Sequence, residues 1–193
     1  MTKYRVVLIG AAALLLVLIG WAVNRGLARL ADVAPGADAV VTELPAPPTG
    51  VRHITATLFY GSADGESFVP VQQEILLAEG IVLQGREILS AQLQPPPDRQ
   101  VSVIPQGTTL RAFYVTDRGD AFVDLSADVS SKHPGGSSAE LLTVYAVVNA
   151  VTANLPTIRR VQILIDGQEA DTLAGHIDLR NPLERDVTIV SKP

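Results

Sequence analysis

The 193-residue chain contains no cysteine, one methionine, one tryptophan and three histidines. Without cysteine there is no disulfide framework and no N-terminal thiol to carry a lipid. Nine residues are aromatic, and Tyr4 and Trp21 fall in the N-terminal segment, so the remainder is short of the ring platforms that commonly grip sugars. Charged residues make up only 18% and sum to −5, which argues against a nucleic-acid binder. His53, His133 and His176 lie far apart, without metal-ligand spacing such as H-E-x-x-H, and are expected to be structural or solvent-facing. The chain also has no phosphate-binding loop, no dinucleotide fingerprint, no basic aromatic patch and no G-x-S-x-G elbow. These gaps leave no cofactor, no metal and no catalytic set, and the expectation is a protein that is not an enzyme.

What the chain does have is apolar residues, 47% of the total, with a mean hydropathy of +0.27. Residues 6–23 are eighteen consecutive residues without a charge. At 1.5 Å per residue they span about 27 Å as a helix, the thickness of a bilayer core. Lys3 and Arg5 precede the run and Trp21 sits at its far end, where an indole rests among headgroups. A cleaved signal peptide would have a shorter apolar region and a small-x-small site, whereas Arg25 and Arg29 hem in Gly26 and Ala28. We therefore expect residues 1–24 to be a short cytoplasmic N-terminus and a single-pass anchor in the cytoplasmic membrane, with everything after it extracytoplasmic. Residues 25–50 read as a linker: Pro35, Pro45, Pro47 and Pro48 stand among alanines without an apolar face. Residues 31–50, fully extended, reach about 60 Å. Residues 51–193 hold 11 basic and 17 acidic residues, an ordinary size and an acidic surface for one domain.

Within that domain the periodicities alternate between 2 and 3.6. Ile54, Ala56, Leu58 and Tyr60 share one side of a strand over 53–60, and 68–77 reads as a second strand, with Pro70 marking an edge. Residues 85–93 read as a helix stopped by Pro95–Pro97. Strands at 110–115 and 121–125 flank a turn over Asp117–Asp120. A helix runs from about Ser137 to Asn154, its core stripe being Leu141, Val144, Tyr145, Val148 and Val151. Val161–Asp166 is a strand turned by Asp166-Gly167 into a partner near Glu169–Leu173. The order β-β-α-β-β-α-β-β predicts an α+β fold, a small mixed or antiparallel sheet with two helices packed on one face.

Two groups of residues invite chemistry. Ser137 and Glu140 have capping-box spacing behind Gly135-Gly136, so the serine is expected to satisfy an orphan amide while the glutamate reaches back. Asp120, Asp124, Asp128, Asp166, Asp171 and Asp178 do not follow the alternate-residue pattern of a calcium loop. Asp124, on the same strand side as Phe122, reads as a polar strand residue.

The second half carries a set of motifs that together resemble the sporulation and spore germination (GerMN) domain. They are Val103–Leu110, Gly119–Ser126, Gly135–Leu142, the helix through Val151–Pro156, Val161–Gly167, and Leu173–Leu179 followed by Pro182-Leu183. The resemblance covers about residues 52–188. It implies a small α+β domain similar to the ring-building modules of secretion and sporulation machines, held outside the cytoplasm and acting through protein contact. No catalytic residue comes with it. It marks Asp124, Gly135, Gly136, Glu140, Asp166, Gly167, Gly175, His176 and Asp178 as candidate interaction or fold-signature positions. His176 is expected to close the fold by bonding neighbouring backbone. The expected partners are other envelope proteins or a second copy, with peptidoglycan or a small ligand as the alternative.

Overall fold

A computed structural model of the chain describes residues 51–97 and 100–191. These belong to one compact unit, Pro48–Pro193, divided from a second unit, Met1–Pro47. The expected anchor and linker lie outside the described residues. Among the described residues no helix is long and apolar enough to cross a membrane.

The fold is α+β as expected, but it has two sheets rather than one. β1 (His53–Gly61) and β2 (Phe68–Leu76) form an antiparallel hairpin of their own. β3 (Leu110–Val115), β4 (Asp120–Leu125), β5 (Arg160–Ile165) and β6 (Gln168–Glu169) form the second sheet in that order, and β7 (Leu183–Glu184) also pairs with β5. β4 and β5 run parallel, so the chain must cross over between them. The crossover supplies a short helix that the periodicity does not predict, α2 (Asp128–Ser131), and the long α3 (Ser137–Asn154). α1 (Ile81–Gln92) connects the sheets.

α3 lies at the centre. It packs against β1, α1, β5 and β7, so it needs more than one apolar stripe. Val144, Val148 and Val151 of the expected stripe are buried, whereas Leu141 and Tyr145 are half-buried. Leu142, Ala146, Val147 and Ala150 are buried as well, because a helix walled on several sides buries nearly its whole circumference.

α1 starts four residues before the expected Gly85. Gly85 is an interior residue because a Cβ there would run into the Phe113 ring. A glycine in mid-helix costs about 1 kcal/mol relative to alanine, and close helix–strand approach is what it permits here.

The alternation along β1 holds: Ala56, Leu58 and Tyr60 are at most 1% exposed. Phe59, on the opposite side, is also buried and meets Phe68 edge-on at 5.8 Å between ring centres. Pro70 stands opposite Phe59, its ring nitrogen on the outer edge of β2, where no ladder donor is needed. The other edge of β1 is paired with the Val101 backbone at Gly61 and covered by side chains in its middle. Gln92 from the end of α1 and Asn154 from the end of α3 each bond both the N–H and the C=O of one β1 residue, Phe59 and Thr57 respectively, every bond at 2.8 Å.

Candidate functional site

Glu140 opens the site. The spacing that predicts a capping box is realised differently: α3 begins after Gly136, no side chain caps it, and Ser137 is already helical. Glu140, in the first turn, points inward and is 0% exposed. Its Oε1 accepts the backbone N–H groups of Leu173 (2.9 Å), Ala174 (2.8 Å) and Ile177 (3.2 Å). Its Oε2 accepts the N–H of His176 at 2.8 Å and the His176 ring Nδ1 at 3.0 Å. Five donors thus converge on one carboxylate, and the ring proton facing Oε2 sits on Nδ1. Burial alone pushes this carboxyl up, but the N–H groups of Ala174, Ile177 and His176, with the His176 ring, outweigh it and hold it below the usual glutamate range.

The loop around the carboxylate is tied from other directions. Ser130 of α2 donates to the Leu173 carbonyl at 2.7 Å, and the Leu179 N–H closes the loop base on the Asp171 carbonyl at 2.8 Å. Gly175, with φ of 103°, gives its N–H to the Thr172 hydroxyl at 3.0 Å. β6 accordingly ends at Glu169 rather than continuing to Leu173, because the chain turns back to α3. The His176 ring bonds the Glu140 carboxylate rather than neighbouring backbone.

Asp124, Asp166 and Gly167 come together in a second cluster. Asp124, buried at 7% exposure, accepts the Gly167 N–H at 2.7 Å and Arg111 Nε at 3.2 Å. Asp166 accepts Arg111 Nη1 at 2.8 Å and the Ala127 N–H at 3.2 Å. Asp166 and Gly167 both have positive φ, 51° and 77°, the conformation of the hairpin turn that the Asp-Gly pair predicts.

The remaining marked residues stay outside both clusters. Gly135 and Gly136 adopt positive φ at the start of α3, and the Gly135 N–H donates to His133 Nδ1 at 3.0 Å. The His133 ring reaches the Thr143 hydroxyl through Nε2 at 3.0 Å, so this histidine joins loop to helix. Asp178 is exposed and paired with Arg180 through both oxygens, at 2.9 and 2.7 Å. The Arg180 side chain and N–H draw its carboxyl down to about 2. Asp120 is held by Arg160 and Asp128 by Lys132. Among the described residues no three His, Cys, Asp or Glu are grouped to hold a metal ion. An apolar groove of about 630 Å³ runs beside the start of α3, lined by Val101, Val103, Ile104, Pro134 and Leu142 among others and by no aromatic residue.

Arg111, Gln92 and Asn154 are the residues that sequence reading missed. For Gln92 and Asn154 the signal available was polarity at the last residue of an apolar helix, directly before a proline-bearing turn; Arg111, on β3, carries no such signal.

A two-sheet α+β domain built around one buried helix, with a buried carboxylate fastening its C-terminal loop, is the class that emerges. The chain belongs to the Germane family, described as sporulation and spore germination, whose model matches residues 57–171. It is similar to a crystal structure described as a "putative lipoprotein" from Clostridium perfringens, with 26% identity, 68% of this chain and 87% of that one covered, and a TM-score of 0.50. It also shares its fold with the tandem GerMN domains of the sporulation protein GerM from Bacillus subtilis, at 16% identity and a TM-score of 0.51. That match covers 70% of this chain and 46% of that one, so this chain spans about half of the tandem protein. A search of curated proteins returned no match.

Proposed function

We propose that the chain is a membrane-tethered envelope protein whose domain works by protein contact or self-assembly, without catalysis. The observation that carries the non-catalytic part of this reading is the state of the two buried carboxylates among the marked residues. Both oxygens of Glu140 and both of Asp124 are committed to backbone N–H groups or to a held cation. A general acid or nucleophile needs an oxygen within reach of substrate, whereas these oxygens fasten loops. Family membership and the likeness to a protein described as a lipoprotein support an envelope setting. Residues 6–23 supply a single-pass anchor and residues 25–50 a spacer, which puts residues 51–193 outside the cytoplasmic membrane.

Two measurements test it. The full chain should resist alkaline extraction from membranes while protease added outside the cell reaches its folded domain. Cross-linking in intact cells should then capture a specific envelope protein or a ladder of self-adducts. Extraction into the soluble fraction would overturn the tether, and the absence of any specific adduct would overturn the contact role.

The groove beside α3 favours a second reading, a module for a small ligand, with a wall glycan as its other candidate. Its apolar lining without aromatic residues suits a glycan poorly. Pelleting with purified peptidoglycan decides that case, and retention above background would establish it.

A further inference from the structure

Two places beside opposite ends of α3 expose charge of opposite sign. At its N-terminal end stands the tip of the β1–β2 hairpin, since Gly65 lines the same groove as Pro134 and Ser138. The tip presents Asp64 and Glu66, both exposed, and neither has a basic partner among the described residues. It is a preformed projection. Asp64 Oδ1 accepts the Ser62 hydroxyl at 2.5 Å and the Glu66 N–H at 3.0 Å, and the Ser62 N–H donates to the Ser67 carbonyl at 2.9 Å. The Ser62 hydroxyl and the Glu66 N–H keep the Asp64 carboxyl below its ordinary range.

At the C-terminal end of the helix is a cleft of about 520 Å³ lined by Arg118, Asp120, Arg159, Arg160 and Glu184. Arg160 is matched already. It grips Asp120 with two bonds at 2.8 and 3.1 Å and pairs across the strands with Glu184. Arg118 and Arg159 have no carboxylate partner among the described residues. They are nonetheless held together: the Arg159 N–H donates to the Gly119 carbonyl at 2.9 Å, and Arg159 Nη2 reaches the Arg118 carbonyl at 3.4 Å. Gly119, at φ of 82°, is pressed so close that a Cβ there would lie 2.6 Å from the Thr157 carbonyl oxygen. Arg159 is thus tied to the main chain of the turn that carries Arg118, both side chains are exposed, and a carboxylate that reaches them gains charge-assisted hydrogen bonds.

We propose that the Asp64–Glu66 tip of one copy docks into the Arg118–Arg159 cleft of the next, joining copies of this chain head to tail. This rests on the self-assembly half of the proposed function and names its contact. An 18-residue helix separates the poles, about 27 Å along its axis. The contact is heterologous, so it propagates into rings or filaments rather than stopping at a dimer. Its charges are exposed, so salt weakens it.

The test is sedimentation of the purified full chain in detergent, alone and as two neutralised forms, D64N/E66Q and R118Q/R159Q. Wild type should form species larger than a dimer at low salt and lose them near ~0.5 M NaCl. Each variant alone should associate roughly tenfold or more weakly, with an unchanged circular dichroism spectrum. Mixing the two should give a 1:1 heterodimer and nothing larger, because one intact tip and one intact cleft remain. A monomeric wild type, a variant that assembles as wild type does, or a mixture that stays monomeric would overturn the proposal. If the chain fails here yet cross-links to another envelope protein in cells, the contact reading stands and this contact does not.

Discussion

Gln92 holds Phe59 as a neighbouring strand would. Its Oε1 accepts the Phe59 N–H and its Nε2 donates to the Phe59 carbonyl, each at 2.8 Å, across 33 residues of sequence. Asn154 does the same for Thr57 and also bonds the Ala150 carbonyl of its own helix. The middle of the β1 edge that faces away from β2 is thereby satisfied by the ends of two helices, while Gly61 at its end pairs with the Val101 backbone. Open strand edges invite pairing with other chains, and here the two amides cover the middle of one while setting the position of α1 and α3 against the hairpin.

Replacing Gln92 by Ala strands a buried N–H and a buried C=O. Such groups cost about 1–3 kcal/mol when left unpaired. Urea unfolding should show that loss, and hydrogen exchange at the Phe59 amide should accelerate while that at Thr57 stays near the wild-type rate. Asn154→Ala should show the reverse pattern. Equal acceleration at both amides in either variant would mean that the two side chains do not act on separate residues.

Glu140→Gln puts an amide NH2 where a carboxylate oxygen now accepts donors, so at least one backbone N–H faces another donor. Breaking a buried charged cluster costs on the order of 3 kcal/mol or more. For a domain of this size that corresponds to a fall of roughly 10 °C in melting temperature. Differential scanning calorimetry reads it directly, and a shift within about 2 °C of wild type would remove Glu140 from its fastening role.

The same carboxylate fixes the direction of the acid response. Its folded value lies below the ordinary 4.5, so the unfolded chain takes up a proton at a pH where the folded chain does not. The stability it contributes is fully present above the unfolded value, declines as pH falls below that value, and is exhausted below the folded one. Urea midpoints measured from pH 7 downward should hold until about pH 5 and then fall, and the fall should be shallower in Glu140→Gln. Identical profiles would show that other carboxylates carry the acid response.

What the sequence reveals of this molecule is what depends on neighbours a few residues away. The Asp166-Gly167 turn, the turn before Asp120 and the alternation of Ala56, Leu58 and Tyr60 all follow from local spacing, and all appear. Glu140 shows the limit. Its distance from Ser137 fits a capping box, yet the amides it satisfies belong to residues 173–177, at least 33 residues away. No local pattern separates the two outcomes, because both need a carboxylate in the first turn. The burial of α3 was hidden for a related reason: a 3.6-residue period locates one packed face, whereas this helix is walled by elements from both sheets. The roles of Gln92 and Asn154 are not legible in the sequence because a polar residue at a helix end is ordinarily a solvated one.

Gly85 gives the last prediction, since two general effects there oppose each other. Alanine at an interior helix position gains about 1 kcal/mol over glycine in propensity. A methyl at this position, however, collides with the Phe113 ring, and overpacking a well-filled core costs typically about 1–3 kcal/mol. Phe113 is only 2% exposed and sits on β3 under α1, so the ring has little room to withdraw. Gly85→Ala should therefore destabilise the domain despite its better helix propensity. Phe113→Leu alone should also destabilise it, through lost packing. In the double variant the smaller side chain makes room for the methyl, and the combined loss should be less than the sum by about 1 kcal/mol. Chemical denaturation of the four proteins completes the cycle. Strict additivity would mean that helix and strand do not press on each other at this point.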